Sequence, residues 1–253
     1  MANDCLTARA AGQGTGTFPS PLPISARDGY LHVPANSRLL SDMAERCPRP
    51  AVFLDRDGVL VEDVHFLTSA DQLRLLPGVA EALRALQEKF SIIVVTNQSG
   101  IARGYLTEGD LTGIHGGLAL LLAAEQVGVD AFYYCPHLAE GTVEAYRMDC
   151  RCRKPKPGML LRASEDFGID PAESFLVGDM PRDIQAGDAA GVRSILLTEQ
   201  GDADAATWMT AKGISEAADL ILAAAEVTDK DSASTDHPLC EHDSIAQRGS
   251  NCR

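Results

Sequence analysis

Asp55 and Asp57 stand two residues apart in the run Asp55-Arg56-Asp57-Gly58-Val59, and Asp179 follows Gly178 much later in the chain. Carboxylates brought together repel one another unless a cation sits among them. Hard oxygen ligands that leave room for water and phosphate suit Mg²⁺ better than a transition metal. A carboxylate facing a phosphorus atom can act as a nucleophile and form an acyl-phosphate. A second carboxyl group can protonate the leaving oxygen and then activate the water that cleaves the intermediate. In Thr96-Asn97-Gln98-Ser99-Gly100, the Thr96 hydroxyl and the backbone N–H groups that follow can hold a phosphate. Lys154, within Arg153-Lys154-Pro155-Lys156-Pro157, can neutralise the transferring charge. Each stretch taken singly has a plainer reading: Asp-x-Asp as a cap or turn, Gly178-Asp179 as a turn, the basic run as a solvated face. Their occurrence together, in order, is what points to phosphoryl chemistry.

Such groups need elements that bring them to one place. Short apolar runs at 51–55, 91–96, 131–135, 174–178 and 193–197 are strand candidates rich in Val, Ile, Phe or Tyr. Pro77 marks a helix start, with Val79, Leu83, Leu86 and Phe90 following at helical spacing. Leu111, Ile114, Leu118, Leu121 and Leu122 mark a second helix, and 159–167 and 184–190 two more. Strands alternating with helices imply a doubly wound α/β fold, a mainly parallel sheet with helices on both faces. Nearly all-apolar strands are what a sheet covered on both sides requires. In that architecture ligands bind outside the carboxyl ends of the strands. Asp55, Thr96 and Asp179 each terminate a predicted strand. No insertion is long enough for a large cap domain, so an open crevice shielded by loops is expected.

Cys135 and His137 precede Cys150 and Cys152, giving three thiols and one imidazole in two close pairs. This is the donor set of a closed, tetrahedral structural Zn²⁺ site, although the pairs are tighter than those of ordinary zinc fingers. The spacing equally admits buried thiols with His137 satisfied by a backbone carbonyl. A zinc-binding loop over 137–150 would pin Arg153 and Lys154 toward the phosphate.

The chain has 253 residues, of which 45% are hydrophobic, enough for a sizeable core. Its formal charge of −14 excludes binding that relies on neutralising nucleic-acid phosphates. A local basic island (Arg147, Arg151, Arg153, Lys154 and Lys156) can still attract a small anion. No apolar run reaches the roughly 20 residues of a membrane span. The start Met-Ala-Asn-Asp-Cys is not a secretory signal, and seven cysteines do not suit a closed disulfide framework, so a cytoplasmic protein is expected. Residues 1–48 read as a flexible extension, 49–226 as one compact domain and 227–253 as a disordered polar tail. A monomer without nucleic-acid or membrane partners is expected.

The runs FLDRDGV, VVTNQSG, RKPKPG and VGDMPRD resemble the haloacid dehalogenase superfamily of aspartate-nucleophile phosphatases, over about residues 49–200. The resemblance implies Asp55 as nucleophile, Asp57 as acid/base, and Thr96 and Lys154 as stabilisers of the phosphoryl group. It implies catalytic Mg²⁺ on Asp55, Asp179 and the Asp57 backbone carbonyl, with Asp183 in a role that varies among members. TNQSGIARGY and CPH…CRCRKPKPGM are similar to the family of D-glycero-D-manno-heptose 1,7-bisphosphate 7-phosphatases and their relatives, the histidinol-phosphatases. That likeness implies structural Zn²⁺ on Cys135, His137, Cys150 and Cys152. It also implies phosphosugar contacts at Asn97, Gln98, Ser99, Arg153 and Lys154, and at Asp63, Val64, His65 and Phe66. Met180 stands where some members carry a basic residue. The expected activity is hydrolysis of the 7-phosphate of the heptose bisphosphate, on a route to activated heptose. The alternative substrate is histidinol phosphate or another small phosphomonoester. A non-catalytic module using Asp55 as a charge switch is disfavoured by the presence of both Asp57 and Lys154.

Overall fold

The computed structural model describes residues 31–34, 49–199 and 207–233, with side chains for 49–199 and 207–227. Its seven strands are β1 (Leu31–Pro34), β2 (Ala51–Leu54), β3 (Ser91–Asn97), β4 (Ala131–Cys135), β5 (Phe175–Gly178), β6 (Arg193–Leu197) and β7 (Met209–Ala211). They form one sheet in the order β1-β4-β3-β2-β5-β6-β7. All neighbours from β4 to β7 pair in parallel; β1 alone runs antiparallel, Leu31 opposite Tyr134. The order places β2 at the centre, with β3 and β5 beside it, so three strand ends meet where the chain reverses its winding direction.

The helices are α1 (Val79–Leu86), α2 (Glu108–Ala124), α3 (Gly158–Phe167), α4 (Pro181–Ala190) and α5 (Ile214–Ala233). Strand residues divide by parity between two faces. Val52, Leu54, Ile92, Val94, Phe132 and Tyr134 pack in one core with residues of α1, α2 and α5. Ala51, Phe53, Ile93, Val95, Tyr133 and Leu176 pack in the other with residues of α3 and α4. Both faces are covered, which is why the strands are apolar throughout. Gly168 and Gly191, both in the left-handed region, end α3 and α4 before strands begin. α2 starts at Thr107, whose hydroxyl accepts from Asp110 N at 3.1 Å while the Asp110 carboxylate accepts from Thr107 N at 2.8 Å.

Two expectations are corrected. Leu31–Pro34, within the segment read as a flexible extension, joins the sheet as an edge strand. α5 runs seven residues past 226 into the segment read as a tail, and neither it nor β7 was anticipated. The expectations for residues 1–30, 35–48 and 234–253 lie outside the described residues. Among the described residues there is no separate cap domain, and no helix is long and apolar enough to cross a membrane. Thr107→Ala, which removes one half of the reciprocal cap on α2, should lower unfolding free energy by about 1 kcal/mol in urea titration.

Candidate active site

β2 ends at Leu54, and Asp55 N donates to Val177 O at 3.0 Å, so Asp55 continues the β2–β5 seam into the crevice. One Asp55 oxygen accepts from Arg56 N at 2.7 Å, and the other lies 3.1 Å from Lys154 Nζ. Lys154 is wholly buried and reaches three oxygens: Asp55, Asp183 Oδ1 at 2.7 Å and the Val95 carbonyl at 2.8 Å. Burial alone would push the Lys154 ammonium down, but the two carboxylates outweigh it and hold it above its ordinary range. Asn97, at the end of β3, grips the Lys154 backbone from both sides. Its Oδ1 accepts from Lys154 N and its Nδ2 donates to Lys154 O, each at 3.0 Å.

Asp55, Asp179 and Asp183 each present an oxygen within 4.8 Å of the others. Burial raises the Asp179 carboxyl to about 6, with Asp55 and Asp183 adding their repulsion. Burial also raises Asp183, against the pull of Lys154. Asp179 Oδ1 is buried without a hydrogen-bond partner among the described residues. A protein that crowds three carboxylates and leaves one oxygen unpaired provides the donor set of a hard divalent cation. Gly58 makes the crowding possible. Its φ is +79°, and a Cβ there would lie 2.1 Å from Asp179 Oδ2.

Beside the expected Asp55 and Asp179 stands Asp183; Asp57, expected to contribute its backbone carbonyl, turns its side chain elsewhere. The Arg56 guanidinium forks onto Asp57 with Nε at 2.9 Å and Nη2 at 2.8 Å. Gln98 Nε2 donates to Asp57 Oδ2 at 3.0 Å and to Thr96 Oγ1 at 2.9 Å, which ties the end of β3 to the acid. Burial raises the Asp57 carboxyl, Arg56 opposes this, and the Asp55 charge adds to it. Two carboxyl groups two residues apart thus differ in role: one is packed against Lys154, the other held on the wall of a cleft.

That cleft is lined by Arg56, Asp57, His65, Phe66, Asn97, Gln98 and Ser99. Most of the anticipated substrate contacts therefore converge on Asp57. Asp63 instead shapes the loop, its Oδ1 accepting from His65 N at 2.8 Å, and Val64 is exposed. His65 has a φ of +70°, the left-handed turn that swings Phe66 back to the cleft. Arg153 Nη1 donates to the His137 carbonyl at 3.3 Å and so braces the neighbouring loop. Arg56 went unnoticed in the sequence because a cation between two acids reads as a solvated charge, yet it is 1% exposed.

Cys135, His137, Cys150 and Cys152 gather at the end of β4 with donor atoms within 4.8 Å of one another. Cys152 Sγ is 3.2 Å from both Cys135 Sγ and Cys150 Sγ, and His137 Nδ1 is 3.3 Å from Cys152 Sγ. Cys135, Cys150 and Cys152 are not in disulfides. A hydrogen bond from Cys152 pulls the Cys135 thiol down to about 6 and pushes Cys152 up. Four N/S donors at these separations can close around one metal ion.

Fold and site together define a hydrolase of the aspartate-based phosphoryl-transfer class. A model of the family described as haloacid dehalogenase-like hydrolase matches residues 51–191. The D-glycero-beta-D-manno-heptose-1,7-bisphosphate 7-phosphatase of Haemophilus influenzae is 44% identical over 152 residues, 60% of this chain and 82% of that protein. The protein of the same name from Escherichia coli K12 is 44% identical over 153 residues, covering 60% and 80%. Among solved structures, D,D-heptose 1,7-bisphosphate phosphatase from B. bronchiseptica, complexed with magnesium and phosphate, superposes with a TM-score of 0.61. It is 32% identical, with 69% of this chain and 99% of that one covered. The chain belongs to the haloacid dehalogenase-like hydrolases and is a phosphoric monoester hydrolase.

In protein stripped of divalent cations, the raised carboxyls set the sign of a pH effect. Asp179 binds its proton more tightly folded than unfolded, so stability should fall as pH rises from about 4 through about 6. Thermal melts across that range in chelator should show the decline, and Asp179→Asn should flatten it. Gly58→Ala should displace Asp179 and cut turnover about 100-fold or more, measured by phosphate release.

Proposed function

We propose that the chain is a Mg²⁺-dependent phosphatase that removes the 7-phosphate of D-glycero-D-manno-heptose 1,7-bisphosphate through an aspartyl-phosphate. The observation that carries the chemistry is the separation of Asp55 from Asp57. Asp55 stands beside a buried ammonium in a carboxylate cluster, while Asp57 faces the cleft with its carboxyl raised by burial. The heptose substrate is supported by the names and 44% identity of the Haemophilus and Escherichia relatives.

Asp55 attacks phosphorus, forming a carboxyl O–P bond as the bond to the sugar's C7 oxygen breaks. Asp57 gives its proton to that oxygen, whose charge would otherwise oppose departure. Lys154, its three hydrogens turned to Asp55, Asp183 and the Val95 carbonyl, acts on the phosphoryl oxygens through its charge. The Thr96 hydroxyl can donate to them, and Asn97, Gln98 and Ser99 orient the substrate. Asp57, now a carboxylate, takes a proton from water as the water oxygen attacks phosphorus; inorganic phosphate leaves and Asp55 is restored. Asp55, Asp179 and Asp183 are the side chains that would hold Mg²⁺, with the Asp57–Gly58 backbone against Asp179. The ion would supply positive charge beyond that of the two buried cations. His65 and Phe66, which line the cleft, with Arg153, Asp63 and Val64, form the substrate side of the reading.

Cys135, His137, Cys150 and Cys152 would hold Zn²⁺ in a closed structural site. Three thiols and one imidazole gathered this closely are the donor set such a site uses. Through the His137 carbonyl the site bears on Arg153, and through two further residues on Lys154. One copy of the chain supplies every group named, so a monomer is the working unit of the reading, and thiols outside disulfides suit the reducing cytoplasm.

Steady-state kinetics on both anomers of the heptose bisphosphate and on histidinol phosphate, with and without Mg²⁺, test the assignment. The heptose should give the highest kcat/KM, only with Mg²⁺; faster turnover of histidinol phosphate would reverse the substrate. Asp55→Asn should abolish turnover. Removing zinc should lower activity even in excess Mg²⁺, and unchanged turnover of zinc-free protein would defeat the structural role.

A further inference from the structure

The fork of Arg56 on Asp57 uses two of its nitrogens; the third, Nη1, points into the core. It lies 3.5 Å from Nε2 of His115 on α2. His115 is fully buried, its ring stacked on Phe132 at 4.7 Å and 16° and set edge-on to Tyr134 at 5.8 Å. β4 thus fixes the imidazole on two sides. Burial, reinforced by the Arg56 charge, holds His115 well below its ordinary range, so the ring is neutral. A neutral ring can accept from Arg56 at Nε2 only with its proton on Nδ1. That Nδ1 has no hydrogen-bond partner among the described residues. A leucine or phenylalanine would fill the same apolar face of α2 between Ile114 and Leu118 without a stranded polar atom. Packing therefore does not account for a histidine here, and its contact with Arg56 does.

We propose that His115 is a positioning residue that, by bracing Arg56, fixes the orientation of the Asp57 carboxyl toward the leaving oxygen. A forked pair orients a carboxylate only as well as its guanidinium is itself oriented. Arg56 is a long side chain on a loop residue, and neither Asp57 nor Gln98 restrains the outer face of its guanidinium. His115 supplies that restraint from a helix and a strand rather than from the loop. The inference rests on the acid/base reading of Asp57 and adds the chain of contacts from the α2–β4 core that serves it.

The test exploits the leaving group. Expelling a sugar alkoxide requires a proton from Asp57, whereas p-nitrophenolate leaves without one. In His115→Phe, kcat/KM on heptose 1,7-bisphosphate should fall about ten-fold more than kcat/KM on p-nitrophenyl phosphate. This quantity reports the step that expels the leaving group and not the later hydrolysis shared by both substrates. His115→Gln, whose amide oxygen can accept from Arg56, should recover most of that difference. Parallel loss on both substrates, with a lowered Tm, would mean that His115 only packs the core and would overturn the inference; His115→Leu gives the same reading should the phenylalanine fail to fold. Asp57→Asn in the same assay separates the two levels. A leaving-group difference in Asp57→Asn but not in His115→Phe rejects the bracing, and its absence in both rejects the acid role itself.

Discussion

The site is organised around one ammonium group. Lys154 lies wholly inside the protein with Asp55 on one side, Asp183 on the other and the Val95 carbonyl closing the third direction. An unpaired ammonium at that depth would be strongly destabilising, and so would either carboxylate without it. The three residues come from the end of β2, the loop before α3 and the first turn of α4, so their charges match only when those segments are together. Asn97 then fixes the lysine's own backbone to β3 through two hydrogen bonds. Central strands, flanking helices and the loop that carries Cys150 and Cys152 are all referred to this one position.

From that point the divergence of Asp55 and Asp57 follows. Asp55 is the last residue still bonded to the sheet, so its carboxylate stays within reach of Lys154. Asp57 lies beyond it, in a turn that Gly58 closes with a positive φ and that brings the backbone against Asp179. The same turn sends the Asp57 side chain to Arg56 and Gln98 on the cleft wall. Identical side chains two positions apart thereby acquire different environments, the condition for the proposed division into nucleophile and acid.

Most of this architecture was legible from the chain. Nearly unbroken apolar runs ending in Asp55, Thr96 and Asp179 announced buried parallel strands and the crevice at their ends. β1 and β7 were not legible, since a four-residue edge strand and a three-residue one carry too few side chains for a period to register. The role of Asp183 could not be read from spacing, because its partner Lys154 is 29 residues away in sequence and only the fold pairs them. Arg56 and His115 escaped for opposite reasons. An arginine between two acids looks solvated, and a histidine on a leucine-rich helix face looks like a core filler; each becomes informative only when the other is seen beside it.

The charge balance of the site connects its metal requirement with its substrate. Three carboxylates, Asp55, Asp179 and Asp183, share one buried cation, Lys154, and formally two negative charges remain in the cluster. A phosphate dianion would be repelled from such a site, and the protein as a whole, at −14, offers no compensating field. Protonation of Asp179, raised to about 6, relieves only part of the excess. One divalent cation would remove it entirely. On this arithmetic an ion held there would serve folding of the crevice as much as chemistry, because it would let the three carboxylates ionise together and turn an anion-repelling cluster into a neutral one.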